Sequence, residues 1–184
     1  MREAGVLMPV SALPSRVGAG ELGEAAFHFI ELLKRNHVRI WQILPLNPVG
    51  YGNSPYQPYS SCAGDDIYIS LDTLAEEGLL KKSPMPFLEK CKKVDYERVR
   101  QYREPYLRAA FMAFVEQKGY EKPEYKEFAA QSWVYEYGVF GALKEANNGA
   151  CWNEWPEEDR TWPENRHVLD PETEPAASYQ LFLQ

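Results

Sequence analysis

The sequence predicts an α/β protein that begins with a βαβ unit and continues as a series of helices. Two short apolar runs favour buried strands: residues 4–10, which end at a Ser/Pro-rich turn, and residues 38–44, which Pro45 follows. Between them, residues 22–35 carry apolar side chains with the 3.6-residue period of an amphipathic helix. A strand, a helix and a second strand at this spacing predict two parallel strands joined by a right-handed crossover.

The crossover helix carries the clearest periodic signal. Lys34 and Arg35 fall in its last turn, where they complement the helix dipole. His28 lies beside the apolar stripe and is interpreted as a structural residue. Because neither strand alternates strictly between apolar and polar residues, we expect both to be buried on both faces. The helical stripe consists of Leu22, Ala26, Phe29, Ile30 and Leu33.

Residues 45–66 form a long segment without a helix or strand pattern, which contains four prolines. Loops of this length inside a compact domain are either functional or disordered. Disordered segments are poor in aromatic residues, whereas this segment holds Tyr51, Tyr56 and Tyr59. It also follows the carboxyl end of a predicted parallel strand, where α/β proteins place ligand sites. The pattern predicts a functional loop that binds a small polar ligand.

After this loop, residues 67–71 are expected to be another short extended segment. Asp72 is expected to cap a short helix, and Gly78 is expected to end it. Residues 81–93 are basic and contain prolines, which is typical of a solvated surface connection.

Helices dominate the remainder of the chain. One is predicted over residues 94–118, kinked or split at Pro105, and shorter ones over residues 123–131 and 132–146. The expected apolar faces comprise Tyr106, Leu107, Ala110, Phe111 and Phe114 in the first, and Trp133, Tyr137, Phe140 and Leu143 in the last.

Three tryptophans mark the segment 151–170, namely Trp152, Trp155 and Trp162. They could form a stacking surface for a ligand, or they could pin an irregular segment onto the helices. The second interpretation is favoured, because large aromatic side chains are highly buried on average.

Composition excludes several classes of protein. The 184 residues carry a net charge of −7, which argues against a nucleic-acid partner. No apolar run is long enough to span a membrane, no basic amphipathic helix suggests a membrane surface, and the N-terminus does not read as a signal or transit peptide. The cysteines Cys62, Cys91 and Cys151 lack disulfide or zinc spacing, so free, buried or half-buried thiols are expected. These features predict a soluble cytoplasmic protein.

Familiar catalytic motifs are missing from the sequence. It contains no phosphate-binding glycine loop, no GxSxG nucleophile elbow and no pair of histidines at metal spacing. The acids Asp65 and Asp66 are interpreted as solvated charges, caps or turn residues, as are the other acidic pairs. The residue pattern therefore leads to a soluble α/β domain with an aromatic, polar loop.

A series of ordered motifs carries a resemblance to a known family. These are Gly5-Val6-Leu7-Met8, Leu13-Pro14-Ser15, Gly18-x-Gly20-x-Leu22-Gly23 and, over residues 41–80, WQILPLNPVGYGNSPYQPYSSCAGDDIYISLDTLAEEGLL. Together they resemble the 4-α-glucanotransferases, the amylomaltases or disproportionating enzymes of bacteria and plants. Looser matches follow in VDYERV, YREPYL, VFGALKE, the tryptophan segment and the final YQLFLQ.

The resemblance implies the N-terminal part of an α-amylase-like (β/α)8 TIM barrel with a helical insertion subdomain. Residues 1–72 would start the barrel and contain the substrate loop 45–66. Residues 73–170 would form the mainly helical insertion, and residues 171–184 would begin the next barrel helix. Because such barrels typically need about 250 residues, the chain is expected to be an N-terminal fragment of a larger enzyme.

The implied activity is transfer of α-1,4-glucan segments between maltooligosaccharides by a retaining double displacement. In the family an Asp nucleophile, a Glu acid/base and a further Asp carry this chemistry, which needs no cofactor or metal. All three carboxylates are expected beyond Gln184, so this chain would be inactive alone. Two alternatives stay open: a fragment of a related α-glucan hydrolase, and a stand-alone or vestigial α-glucan-binding module.

Substrate-binding residues are implied in the motif GYGNSPYQ. Tyr56 would stack on the glucosyl ring next to the cleaved bond, and Ser54 and Gln57 would supply hydrogen bonds. Tyr51 would contact glucan at the rim or at a second site, and Asn53 would shape the turn. Two departures stand out: PVSALP at residues 9–14 replaces the family's His-Pro-Thr-Ser-Leu-Pro, and Asp65 replaces its usual Asn.

Overall fold

The computed structural model describes residues 3–50, 52–81, 88, 93–161 and 173–184. The chain divides into two compact units, Met1–Phe114 and Val115–Gln184, which are described separately.

The first unit begins with the predicted βαβ arrangement. Strand β1 spans Gly5–Leu7, helix α1 spans Glu24–Arg35 and strand β2 spans Ile40–Gln42. The two strands are parallel, with Gly5 opposite Ile40 in the register. The prediction of two parallel strands joined through a helix is therefore confirmed, although both strands are shorter than the apolar runs suggested.

The prediction that both strands are buried on both faces is wrong for the described residues. Leu7 is 56% exposed and Ile40 is 45% exposed, because within the described part of the chain the sheet has two strands. The apolar stripe predicted for residues 22–35 is also divided between buried and exposed side chains. Ala26 and Leu33 are buried, whereas Leu22 and Ile30 are among the exposed large hydrophobic residues.

A small core nevertheless fixes α1 on the sheet. Val10, Leu13 and Ala26 are buried there. The Phe29 and Trp41 rings meet edge to face with centroids 5.1 Å apart. The interpretation of His28 as a structural residue is wrong. Its side chain is 75% exposed, so it does not belong to this core.

The expected extended segment at residues 67–71 is wrong. Asp66–Tyr68 forms a 3-10 turn, and helix α2 begins directly afterwards, spanning Leu71–Glu76. Ser70, not Asp72, caps this helix, because its Oγ accepts the Thr73 N–H at 3.2 Å. The predicted stop is confirmed, since Gly78 follows the helix with φ +78°.

Helix α3 spans Tyr96–Glu116 and continues through Pro105, so a split helix is wrong. Pro105 is exposed, which leaves its ring on the solvent side of the helix. Of the predicted face, Tyr106 and Phe111 are only half-buried. The buried residues are Val99, Arg103, Leu107, Ala110 and Phe114.

The second unit contains the end of α3 and four further helices among the described residues: α4 Pro123–Ala129, α5 Ser132–Ala146, α6 Glu157–Arg160 and α7 Thr173–Leu183. Helices α5 and α7 pack so closely that a Cβ added at Gly138 would collide with Leu181. Their shared core includes Val139, Ala142, Leu143, Trp155 and Ala177.

The tryptophans of the second unit behave differently from one another. Trp155 is 5% exposed and pins its segment to the core, as predicted, whereas Trp152 is 62% exposed. Trp162 lies outside the described residues. On α5, the predicted Trp133 and Phe140 are half-buried, while Tyr137 and Leu143 are buried.

The described thiols differ from the expectation of burial. Cys62 and Cys151 are free, as predicted, but both are exposed. Cys91 lies outside the described residues, as does most of the connection 81–93. Within the described helices, none combines the length and apolarity needed to cross a membrane.

Candidate functional site

The loop 45–66 follows β2 and is closed by hydrogen bonds between its two ends. The Asp65 N–H donates to the Leu46 carbonyl at 2.8 Å. The Asn47 side-chain amide donates to the Ala63 carbonyl at 3.0 Å, and Ala63 is buried. The two ends of the loop are therefore held within hydrogen-bond distance of each other.

A second set of bonds continues this closure outward. The Tyr59 N–H donates to the Pro48 carbonyl at 3.2 Å, and Val49 forms an antiparallel bridge with Pro58. We call residues 46–49 and 58–66 the loop base. The residues between them, 50–57, are the loop tip.

Two consecutive turns form the loop tip. The Asn53 N–H donates to the Gly50 carbonyl at 3.2 Å, and the Gln57 N–H donates to the Ser54 carbonyl at 3.0 Å. Gly52 has φ +85° and Asn53 has φ +51°, conformations that glycine and asparagine tolerate best. Pro55 occupies the second position of the second turn, which its fixed φ favours. The prediction that Asn53 shapes the turn agrees with this geometry.

Among the described residues of the loop tip, most side chains point into solvent. Tyr56 is 72% exposed, Asn53 and Gln57 are exposed, and Ser54 is half-buried. Tyr51, the fifth residue implied by the resemblance, lies outside the described residues. A ring with an open face beside amide and hydroxyl groups can stack on an apolar surface and hydrogen-bond to hydroxyls at its edge.

Two aspartates of the loop base join a set of charged residues whose association sequence reasoning missed. We call Glu21, Asp65, Asp66, Arg100 and Arg103 the acid–arginine cluster. Arg100 donates to both oxygens of Asp65, at 2.8 and 2.7 Å, and to Asp66 at 2.8 Å. Asp65 is only 6% exposed, so its interpretation as a solvated charge is wrong. Its interpretation as a cap is confirmed, because its side chain accepts the Ile67 N–H at the start of the 3-10 turn.

The pKa values of the two aspartates are shifted in opposite directions by their surroundings. Burial alone would raise the pKa of Asp65, but the hydrogen bonds and charge of Arg100, with the Ile67 N–H, hold that pKa below its usual value. Burial raises the pKa of Asp66 to about 6, and the neighbouring Asp65 carboxylate adds to the rise. Asp65 is therefore the firmly ionised partner of Arg100.

Arg103 completes the cluster from the buried face of α3. It is 1% exposed and donates to Glu21 Oε2 at 2.9 Å and to the Ile69 carbonyl. Glu21 Oε1 in turn accepts the Ser70 hydroxyl at 3.1 Å. One sequence signal could have revealed Arg103, since it stands at helical spacing within an otherwise apolar stripe between Val99 and Leu107.

The arrangement as a whole suits binding. The loop tip offers a ring and hydrogen-bonding groups, and the cluster holds the loop base against α3. No group of three or more His, Cys, Asp or Glu residues that could hold a metal ion is found among the described residues.

Comparison with known proteins identifies the family. A family model described as 4-alpha-glucanotransferase matches residues 8–184. The 4-alpha-glucanotransferase of Synechocystis sp. is 40% identical over 198 residues, covering 100% of this chain and 37% of its own length. That of Thermus thermophilus is 39% identical over 159 residues, covering 84% of this chain and 31% of its own.

A solved structure agrees with these relatives. The amylomaltase from Streptococcus agalactiae in complex with acarbose matches with a TM-score of 0.87 and 28% identity, covering 100% of this chain and 38% of that one. The chain thus spans well under half the length of each relative. Because the family model matches nearly every residue, the chain belongs to the 4-alpha-glucanotransferase family, as its motifs predicted.

Proposed function

We propose that the protein containing this chain is a 4-α-glucanotransferase, which transfers α-1,4-glucan segments between maltooligosaccharides, and that the loop tip binds the donor glucan. Membership of the family and the names of its relatives support the activity. The acarbose held by the solved amylomaltase supports an α-glucan-like ligand.

The observation that carries the binding role is the exposure of Tyr56. A large aromatic side chain that is 72% exposed gives up the apolar burial that usually stabilises such a residue. Its loop is nevertheless closed by backbone bonds at the base. A ring held open on an anchored loop suits stacking against a sugar face, with Ser54 and Gln57 beside it to bond hydroxyls. Tyr51 belongs to this proposal through the resemblance.

The chemistry we propose is a retaining double displacement. Such enzymes place two carboxyl groups about 5–5.5 Å apart, one as nucleophile and one as acid and then base. We assign none of these carboxylates to the present chain, whose part is to bind and orient the donor. The resemblance implies no cofactor for this reaction.

The same proposal includes the complete fold. Exposed Leu7 and Ile40 on the parallel sheet are what a (β/α)8 barrel would cover with further strands. Within it, residues 1–72 would begin the barrel, 73–170 would form the helical insertion and 171–184 would begin the next helix. The cytoplasmic location expected from the sequence remains part of this proposal.

The test is a product analysis with the complete gene product. Incubated with maltotriose, a 4-α-glucanotransferase yields glucose together with maltooligosaccharides longer than maltotriose. Glucose and maltose without longer products would contradict transfer and favour the hydrolase. Binding of maltoheptaose without any turnover would favour the glucan-binding module.

A further inference from the structure

We propose that Arg100 is a positioning residue for the donor glucan. Its two hydrogen bonds to the Asp65 carboxylate fix the loop base, and the loop base in turn sets the orientation of the tip that carries Tyr56. This inference rests on the proposed function, because it assigns a role to Arg100 in the same site. Arg100 acts at a distance from the ligand and is not a catalytic residue.

The first step of the argument is that Asp65 connects two structures. Its backbone N–H donates to the Leu46 carbonyl at 2.8 Å and so closes the loop. Its carboxylate accepts hydrogen bonds from both terminal nitrogens, Nη1 and Nη2, of the Arg100 guanidinium. One residue therefore ties the two ends of the loop to each other and to helix α3.

The second step is the geometry of the contact between Arg100 and Asp65. The two bonds, 2.8 and 2.7 Å long, form the planar two-point contact that fixes a carboxylate in orientation as well as position. The Asp65 side chain is only 3% exposed and that of Arg100 is 30% exposed, so water screens the pair weakly. A lysine keeps the charge but cannot form the planar contact.

The third step is that the side-chain bonds of Asn47 and Ser60 in the loop base are local. Asn47 donates to Ala63, and Ser60 Oγ accepts the N–H groups of Cys62 and Ala63. These bonds hold the loop to itself. The Arg100 contact holds it to a helix of 21 residues, and a change in the tilt of the loop base would carry Tyr56 with it.

The test compares Arg100→Lys with Arg108→Lys in the complete gene product. Arg108 lies on the same helix and pairs with Glu104 at 2.6 Å, but that pair stays within α3 and is half-exposed. For Arg100→Lys we expect kcat/KM for maltotriose to fall about 10- to 100-fold, since small misplacements cost this much. We also expect the amides of residues 45–66 to exchange with deuterium about tenfold faster. Arg108→Lys is expected to leave both within about twofold.

Three results would overturn the inference. The first is wild-type kinetics and exchange in Arg100→Lys. The second is faster loop exchange with unchanged kinetics, and the third is faster exchange spread equally over α1 and α2. Should Arg100→Lys not fold, Asp65→Ala must produce the same two local changes, because it keeps the backbone N–H that bonds to Leu46 and removes the carboxylate that Arg100 contacts.

Failure of the proposed function is recognised separately. If the wild-type protein forms no maltooligosaccharides longer than maltotriose, the transferase assignment fails. In that case the role of Arg100 in donor positioning fails as well. Deuterium exchange of the amides of residues 45–66 still shows separately whether Arg100 anchors the loop.

Discussion

The base of the loop 45–66 is buried and cross-linked by hydrogen bonds, whereas the tip is exposed to solvent. In the base, Asp65 is 6% exposed and Ala63 is 1% exposed, and backbone and side-chain bonds join the two strands of the loop. In the tip, Tyr56 is 72% exposed, and a Cβ added at Gly50 or Gly52 would meet no atom within 4 Å.

This difference shows how a loop can be anchored and yet available. The buried charges of the base fix its position, while the tip is restricted by turn geometry and leaves its side chains free to meet a ligand. Ordering the backbone in advance lowers the entropy that binding must otherwise cost. Changes in the base should therefore act on stability and, through the orientation of the tip, on binding, whereas changes to the side chains of the tip should act mainly on binding.

The largest stability effect is expected at Arg103. Arg103→Ala leaves the Glu21 carboxylate, whose side chain is 13% exposed, without its charged partner in a largely buried setting. Removing one partner of a buried pair costs roughly 3–5 kcal/mol. Arg108→Ala removes an exposed pair on the same helix and is expected to cost about 1 kcal/mol or less. Urea unfolding measures both, and equal costs would contradict the distinction between buried and exposed pairs.

A smaller, pH-dependent effect is expected at Asp66. Its pKa is raised to about 6 in the fold from an ordinary value of 3.8. The native protein therefore holds this proton more tightly than the unfolded chain, and Asp66 costs stability as the pH rises from about 4 to about 6. Asp66→Asn removes this loss.

The stability advantage of Asp66→Asn over wild type should accordingly grow by about 1–3 kcal/mol between pH 4 and pH 7. Urea unfolding at the two pH values gives the comparison. Asp65, whose pKa is lowered, contributes in the opposite direction in wild type, since its stabilisation is lost on acidification. A difference between variant and wild type that shrinks with rising pH would contradict the raised pKa of Asp66.

The smallest effect is expected in the loop tip. Gly52 has φ +85° in open space, so Gly52→Ala meets no clash and pays only for the left-handed backbone, about 1 kcal/mol. Gly50 is equally open but lies outside that region, and Gly50→Ala is expected to change the free energy of unfolding by less than about 0.5 kcal/mol. Thermal unfolding of the two variants separates the effect of backbone conformation from that of packing. Equal changes in unfolding temperature would contradict the turn geometry.

Local sequence signals predicted the elements that depend on local interactions. Apolar periodicity located α1 and α5, and the prolines and tyrosines located the loop, since turn and helix preferences act over a few residues. The prediction of an extended segment at residues 67–71 was wrong because other local interactions compete with the apolar pattern. Side chains of Asp65 and Ser70 accept backbone N–H groups there, and these caps outweighed the apolar pattern.

Long-range pairing explains what the sequence could not predict. Arg100 and Asp65 lie 35 residues apart, and no short-range pattern links a helix arginine to a particular loop acid. Burial of the strands likewise depends on neighbouring elements, which is why Leu7 was expected to be buried and is exposed. The role of Tyr56 came from the family resemblance and remains a prediction.

The role of the loop tip is tested most directly by comparing Tyr56→Ala with Tyr120→Ala in the complete gene product. Both rings are exposed, at 72% and 44%, so both variants are expected to keep wild-type stability within about 0.5 kcal/mol. For maltotriose disproportionation, Tyr56→Ala should lower kcat/KM about 100-fold, equivalent to about 3 kcal/mol, and Tyr120→Ala should leave it within about twofold. Wild-type kcat/KM in Tyr56→Ala would contradict the proposal that the loop tip binds the donor glucan.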